Sequence, residues 1–386
     1  MRFNYRKEAG LIAEEIKSVR RKFHMEPELG NKEFKTAERI ERYLTGLGIK
    51  TRRILGTAVV GVLDGMFPGP SIALRADMDA LPITEDTDVS FSSVSHGVMH
   101  ACGHDVHIAA ALGAAKLISA HRDELHGRLT LLFQPDEEGN GGALRMIEKG
   151  AIDGVSAIFG AHVTPDLPLG HVGIRYGKFY AASETFRVTV NGRSAHGAER
   201  AKGIDALAAA AKMVSDVLRV PCLLPHGEYG VVSVGTFHAG TAINIIPGSA
   251  EFTGIIRALG TDTRALIAER LKSEVMRIAG DFGVKAECEL HESYPGVVNN
   301  DEMTCLVQET ACDLFGVDFV HVIDMPTMTT EDFGYFLHHV PGSFYHIGAG
   351  CELPLHNSKF LPNDDAAITA ATLHAAVVTR AMEILN

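Results

Sequence analysis

Apolar positions along the chain alternate between two rhythms. Residues 7–24 follow a helical period, and so does the stretch after Asn31, where Phe34, Ala37, Ile40, Tyr43 and Leu44 form one stripe. Asn31 reads as the N-cap of that second helix, and Gly46 and Gly48 as its stop. Short apolar runs follow: AVVGVL at 58–63, SIALRA at 71–76, LTLLFQ at 129–134 and AIFGAH at 157–162. They are almost continuously apolar, as strands covered on both faces are. A run of small residues at 106–120, VHIAAALGAAKLISA, reads as a helix between two of them. The pattern predicts a mostly parallel sheet with helices on both faces, an α/β fold.

The middle of the chain has a different order. Strand ETFRVTV (184–190) precedes a helix at 203–219, strands at 229–237 and 250–257, a helix at 262–280 and a strand at 284–290. This β-α-β-β-α-β sequence predicts a ferredoxin-like α+β domain inserted at residues 183–292. The first pattern then resumes, with helices near 301–315 and 331–339, a strand at 343–348 and a last helix at 364–384. Residues 1–182 and 293–386 together would form the other domain. A chain of 386 residues is long enough to need two cores.

Composition narrows the function classes. Apolar residues make up 46% and charged residues 22%, an ordinary globular balance. The formal charge of −12 and the lack of any Lys/Arg-rich run give no reason to expect nucleic acid. The opening MRFNYRKEAG has no apolar core of a secretory leader, and no apolar stretch approaches the roughly 18 residues of a membrane span. The six cysteines form no C-x-x-C pair and read as free thiols in a reducing, cytoplasmic setting.

Metal-capable side chains gather just past the predicted strand ends. SIALRA runs into Asp77 and Asp79, LTLLFQ into Asp136, Glu137 and Glu138, and AIFGAH ends at His162. The strand at 343–348 is followed by Cys351 and His356, and HACGHD places His100, Cys102, His104 and Asp105 at the start of the small-residue helix. In open α/β sheets, ligands bind at the carboxyl ends of strands. Taken singly, each has a plainer explanation. One His among 19 is usually a surface or core residue, Glu137-Glu138 suits a helix start, and Asp77 and Asp79 suit a turn. Cys102 alone suits a small buried apolar position. HACGHD is harder to explain that way, because a thiolate and an imidazole two residues apart, beside a Gly, can approach one metal.

The string MHACGHDVH, with RADMDALPI before it and LLFQPDEEGNGGA after it, resembles the metal-dependent amidohydrolases of the aminoacylase/carboxypeptidase superfamily. The branch it looks most like contains hippurate hydrolase and the indole-acetyl-amino-acid hydrolases. HMEPELG, GAHVTPDLPLG, TAINIIPGSAEFTGIIR, TTEDFGYF and LHNSKF extend the resemblance in order over nearly the whole chain. It implies a catalytic α/β domain with an inserted lid or dimerisation domain. It implies Cys102, His104, Glu138, His162 and His356 as ligands of two divalent metal ions, with the Cys102 thiolate between them. Glu137 would be the general base and Asp79 an orienting carboxylate, with Asp77 behind the ligands. His196 is the candidate oxyanion donor, supplied to a partner subunit in a homodimer, and Asn244 and Arg257 match positions associated with a substrate carboxylate. Two departures touch the substrate contacts: GRSAHGAERAKG keeps His196 but lacks the usual Pro-His, and Thr329-Thr330 stands where Gly-Gly is usual.

These residue types suit amide hydrolysis. A metal pair activates water and polarises a carbonyl, and a neighbouring Glu can carry the proton to the leaving amine. Sulfur and imidazole favour zinc, while the carboxylate admits manganese, cobalt or nickel. The expected reaction is hydrolysis of a small N-acyl amino acid. A dipeptidase or aminopeptidase would use the same metals. A non-catalytic metal- or substrate-binding protein would have no need of Glu137, and a Cys102–His104 nucleophile pair would leave Glu138, His162 and His356 unexplained.

Overall fold

The computed structural model describes residues 3–386. It comprises two compact units. The first runs through Gly177 and takes in Asn299–Asp324 and Asp332–Asn386. The second is Lys178–Val298 with Met325–Glu331.

The first unit is built on an eight-stranded sheet. Its order is Lys50–Ile54, Ala58–Asp64, His126–Gln134, Phe67–Asp77, Val155–Thr164, Gly342–Gly348, Val172–Ile174 and Val320–Val322. Phe67–Asp77 lies parallel to both its neighbours, and Gly342–Gly348 lies parallel to Val155–Thr164. Asp77 pairs with Gln134 and His162 with His346, so the central parallel strands end along one rim. Helix His104–Ser119 is buried along its length except at Lys116 and Ser119, which is why its sequence is small and apolar all round. It packs against helices Ala13–Met25 and Asp365–Ile384. At Gly113 the approach is so close that a Cβ would lie 2.9 Å from the side chains of both Ala371 and Ile16.

The second unit is a four-stranded antiparallel sheet in the order Gly230–Ala239, Ser249–Ala258, Ala182–Asn191, Lys285–Glu292. With helices Ala206–Val217 and Thr261–Phe282, this is the ferredoxin-like arrangement. Strand Ala182–Asn191 buries alternate residues towards its own core, where Val188 and Val190 meet Met213, Phe252 and Leu271.

Some elements differ from the sequence pattern. The helix expected at 7–24 is two helices, Tyr5–Leu11 and Ala13–Met25, parting where the Ile12 N–H turns to the Ala9 carbonyl. The helix expected at 331–339 is only Gly334–Leu337, because the Asp332 carboxylate is taken up by Arg75, Gln134 and the Ala143 N–H. AVVGVL lies antiparallel in the sheet, not parallel, paired with the edge strand Lys50–Ile54. Among the described residues no helix is long and apolar enough to cross a membrane.

Candidate metal centre and active site

Five side chains from four segments of the chain converge at the rim of the first unit. One donor atom from each of Cys102, His104 and His162 lies within 4.8 Å of the others. The same is true of Cys102, Glu138 and His356, and of His104, Glu137 and Glu138. Cys102 thus belongs to two overlapping groups. Its Sγ is 3.3 Å from His162 Nε2, and Glu138 Oε1 lies 3.0 Å from His356 Nε2 and 4.0 Å from His104 Nε2.

The backbone sets this up locally. Gly103, between Cys102 and His104, has φ 87°, and a Cβ there would lie 2.4 Å from Val163 Cγ2. That left-handed step turns the chain into helix His104–Ser119 and lets both neighbours face one point. Two non-glycine residues nearby also have positive φ, Asp136 at 57° and His356 at 65°. Such conformations persist only where the surroundings enforce them. The Asp136 amide donates to Glu33 Oε1 at 3.0 Å, and its carboxylate accepts from Asn31 and Arg145. The His356 amide donates to the Ala101 carbonyl at 2.8 Å.

Hydrogen bonds also fix the imidazole tautomers. His104 Nδ1–H donates to the Asp79 carbonyl at 2.8 Å, and His162 Nδ1–H to the Val163 carbonyl at 2.6 Å. Each Nε2 lone pair is thereby left for the centre of the cluster. His107 is different, although its ring lies near those of His104 and His162. Its Nδ1–H donates to Asp77 at 2.6 Å, and its Nε2 accepts the Val163 N–H at 3.0 Å. With both nitrogens engaged, it is neutral and has no lone pair for a metal. Asp77 is held in turn by Arg75 at 2.5 Å. Asp79 sits closer in, its two carboxylate oxygens accepting the Glu137 and Glu138 amides at 3.1 and 3.0 Å.

The charge pattern tests whether a cation fits. Burial opposes a charge on His104, but Asp77, Asp79 and Glu138 outweigh it and raise its pKa to about 10. Burial, then Glu138 and Glu137, push the Cys102 thiol well above its ordinary value. Burial, with His107 beside it, keeps His162 neutral. The pocket therefore favours positive charge, and within it only an added cation would make Cys102 a thiolate. Buried His104 Nε2 makes no hydrogen bond in the protein, and Glu138 Oε1 meets His356 Nε2 at 3.0 Å. Thiol, imidazole and carboxylate donors converging around the unpartnered His104 Nε2 fit divalent metals of the zinc or manganese kind. They do not fit a Cys–His nucleophile pair, because burial and the neighbouring Glu138 and Glu137 keep the Cys102 thiol protonated even with a charged His104 two residues away.

His196, Asn244 and Arg257 belong to the second unit. Short strands pair His196 with Ile245, and the Gly197 amide donates to the Asn244 carbonyl at 2.7 Å, so His196 and Asn244 are close neighbours and both exposed. Arg257 is partly buried in strand Ser249–Ala258. Among the described residues its one side-chain hydrogen bond is a long one, 3.4 Å to the Ile256 carbonyl. Sequence reasoning missed His107, Glu33 and the Arg75–Gln134–Asp332 network that backs the rim. Only His107 left a signal, three residues after His104 on the same helix face.

The model of peptidase family M20/M25/M40 matches residues 73–380. Thermostable carboxypeptidase 1 of Saccharolobus solfataricus is 37% identical over 96% of this chain and 96% of its own. The N-acetyl-L-cysteine deacetylase of Bacillus subtilis is 35% identical over 93% of this chain and 86% of its own. In three dimensions, the YXEP protein of Bacillus subtilis, a dinuclear metal binding peptidase of the M20 family, matches with a TM-score of 0.87 and 32% identity. The match covers 97% of this chain and 99% of that one.

Proposed function

The chain belongs to peptidase family M20/M25/M40 and is a metal-dependent hydrolase of linear amides; from that premise we propose that it cleaves N-acyl amino acids to a carboxylate and a free amino acid, using two divalent metals per chain. The observation that carries the dinuclear reading is the overlap of donor groups at Cys102, with His104 and His162 on one side and Glu138 and His356 on the other. Bound there, the metals would activate water and polarise the scissile carbonyl. Glu137, on the same rim but not needed as a ligand, takes the proton from the attacking water and delivers it to the leaving nitrogen. Asp79 positions both glutamates through their amides. The second unit acts as lid and dimerisation domain, with His196 donating to the developing oxyanion. Arg257 and Asn244 receive the substrate carboxylate, a task that suits the planar two-pronged guanidinium.

The deacetylase relative favours the N-acyl substrate. The carboxypeptidase relative supports a second reading, hydrolysis of a peptide at its carboxyl end. Both substrates have a carboxylate beside the scissile amide. They differ in whether the acyl side is a simple acid or another amino acid. A hydrolysis screen over N-acetyl, N-benzoyl and dipeptide substrates, with zinc, manganese, cobalt and nickel in turn, separates them. Faster turnover of the N-acyl series supports the first reading, and faster turnover of dipeptides supports the second. Activity that survives exhaustive chelation overturns both. Arg257→Lys should cut kcat/KM for a carboxylate-bearing substrate much more than for its amide, and an equal loss on both would remove Arg257 from carboxylate recognition.

A further inference from the structure

A second cluster of buried charge lies behind the rim, and none of its members has a part in the chemistry above. His24, on helix Ala13–Met25, is fully buried. Its Nδ1 is 2.9 Å from Asp105 Oδ2 and its Nε2 is 3.1 Å from Glu85 Oε1. Both neighbours are carboxylates, which only accept, so both ring nitrogens carry hydrogen and the ring is an imidazolium. Burial and Arg20 oppose that charge, while Asp105 and Glu85 outweigh them.

Each carboxylate leads to a different half of the donor cluster. Asp105 follows His104 and is also held by Arg20 Nε at 2.6 Å. Glu85 organises the loop beyond Asp79, accepting the Ser93 amide at 2.6 Å and the Thr87 hydroxyl. The next residue, Asp86, donates its amide to the Ser358 carbonyl at 2.8 Å, two residues beyond His356. His356 has a left-handed backbone, which its surroundings must maintain.

We infer that His24 is a positioning residue for the metal centre, a charged clasp that ties the His104 end of the donor set to the His356 end. The inference rests on the metal-dependent reading above. His24 touches neither substrate nor the donor atoms. It acts by fixing two segments whose separation sets the spacing of His104 and His356. Groups behind metal ligands commonly change metal affinity by about 10–100-fold when removed.

The test uses the full-length protein loaded with zinc. His24→Leu removes both donors, and Glu85→Gln removes one carboxylate charge at nearly unchanged volume. Zinc release to a chromophoric chelator should be at least about tenfold faster in His24→Leu, and faster by a smaller factor in Glu85→Gln. Excess zinc should restore most of kcat in both. A purely structural role would instead lower the melting temperature of the metal-free variants and leave zinc release from the folded protein at the wild-type rate. That result overturns the inference. If His24→Leu does not fold, Glu85→Gln decides the matter by the same release measurement. Wild-type protein that binds no zinc would overturn the metal-dependent reading itself, whereas normal binding by wild type and unchanged release from the variants would overturn the clasp alone.

Discussion

Asp79 accepts the amides of Glu137 and Glu138 with its carboxylate and the His104 Nδ1–H with its carbonyl. Gripping two successive amides fixes how each glutamate leaves the backbone, so the pair cannot exchange positions. Glu137→Gln should therefore retain metal and fold while turnover falls by about 10²–10⁴-fold. Metal analysis and kcat on the same sample check this, and a near-wild-type rate would reject Glu137 as the base. Glu33, which holds the Asp136 amide, offers a pH test away from the donors. Burial raises its pKa from 4.5 to about 7, with Asp79 adding to the shift. The folded state then binds this proton more tightly than the unfolded state. The contribution to stability is complete below about pH 4.5 and is lost as pH rises through about 7. At about 1.4 kcal/mol per pKa unit, the swing is roughly 3 kcal/mol. Glu33→Gln removes that titration. In denaturant unfolding of the metal-free proteins, the variant should gain on wild type by an amount of that order between pH 4.5 and 7.5. A constant difference across the range would show that Glu33 does not titrate there.

Among the helices, two glycines make opposite predictions from the same substitution. An exposed helical Gly→Ala gains up to about 1 kcal/mol in propensity. Gly280, in Thr261–Phe282, has nothing within 4 Å of a new Cβ, so Gly280→Ala should stabilise by roughly that amount. At Gly113 the new methyl would meet Ala371 and Ile16 at 2.9 Å, and overpacking of a tight core costs about 1–3 kcal/mol. Gly113→Ala should be net destabilising by about 1 kcal/mol. Denaturant midpoints of the two variants settle it, and a stabilised Gly113→Ala would mean that the helix contact is looser than drawn. Helix His104–Ser119 and the central strands were readable in the sequence because burial on all sides leaves long apolar runs, and Thr261–Phe282 because Ile267, Leu271, Val275 and Ile278 recur at a helical period. The hairpin joining Lys50–Ile54 to Ala58–Asp64 was not. Its first strand, KTRRI, is charged as an exposed edge strand is, and its turn puts Leu55 at φ 53° before Gly56 at 85°. Leu at such a position gives no turn signal. Strands Val172–Ile174 and Val320–Val322 are too short to show any period. The rim residues follow strand ends and were legible as a cluster. The groups behind them pair over sequence separations that no local pattern can show, as Arg75 does with Asp332 and His24 with Glu85.

On the scale of the whole molecule, all five candidate metal donors fall in one unit and none in the other. Each unit also has its own core, one around Leu131, Phe159 and Tyr345 and one around Val188 and Phe252. A ligand that binds only the folded first unit stabilises that unit by mass action. At a free concentration a hundredfold above Kd, the gain is about 2.7 kcal/mol. At roughly 2–4 °C per kcal/mol for a unit of this size, chelation should lower its unfolding temperature by about 5–10 °C. The second unit has no share in that binding energy, so its own transition should stay in place. Hydrogen exchange with and without EDTA resolves the two directly. Amides of the central strands Phe67–Asp77, His126–Gln134 and Val155–Thr164 should lose protection when metal is removed, while those of Ala182–Asn191 and Ser249–Ala258 should keep theirs. Equal loss in both sheets would mean that the units unfold as one cooperative block, and the separate cores would have no thermodynamic meaning. No change in either sheet, on protein shown to have released its metal, would mean that the converging donors contribute nothing to the folded state, and the placement of the metal at Cys102, His104, Glu138, His162 and His356 would be wrong.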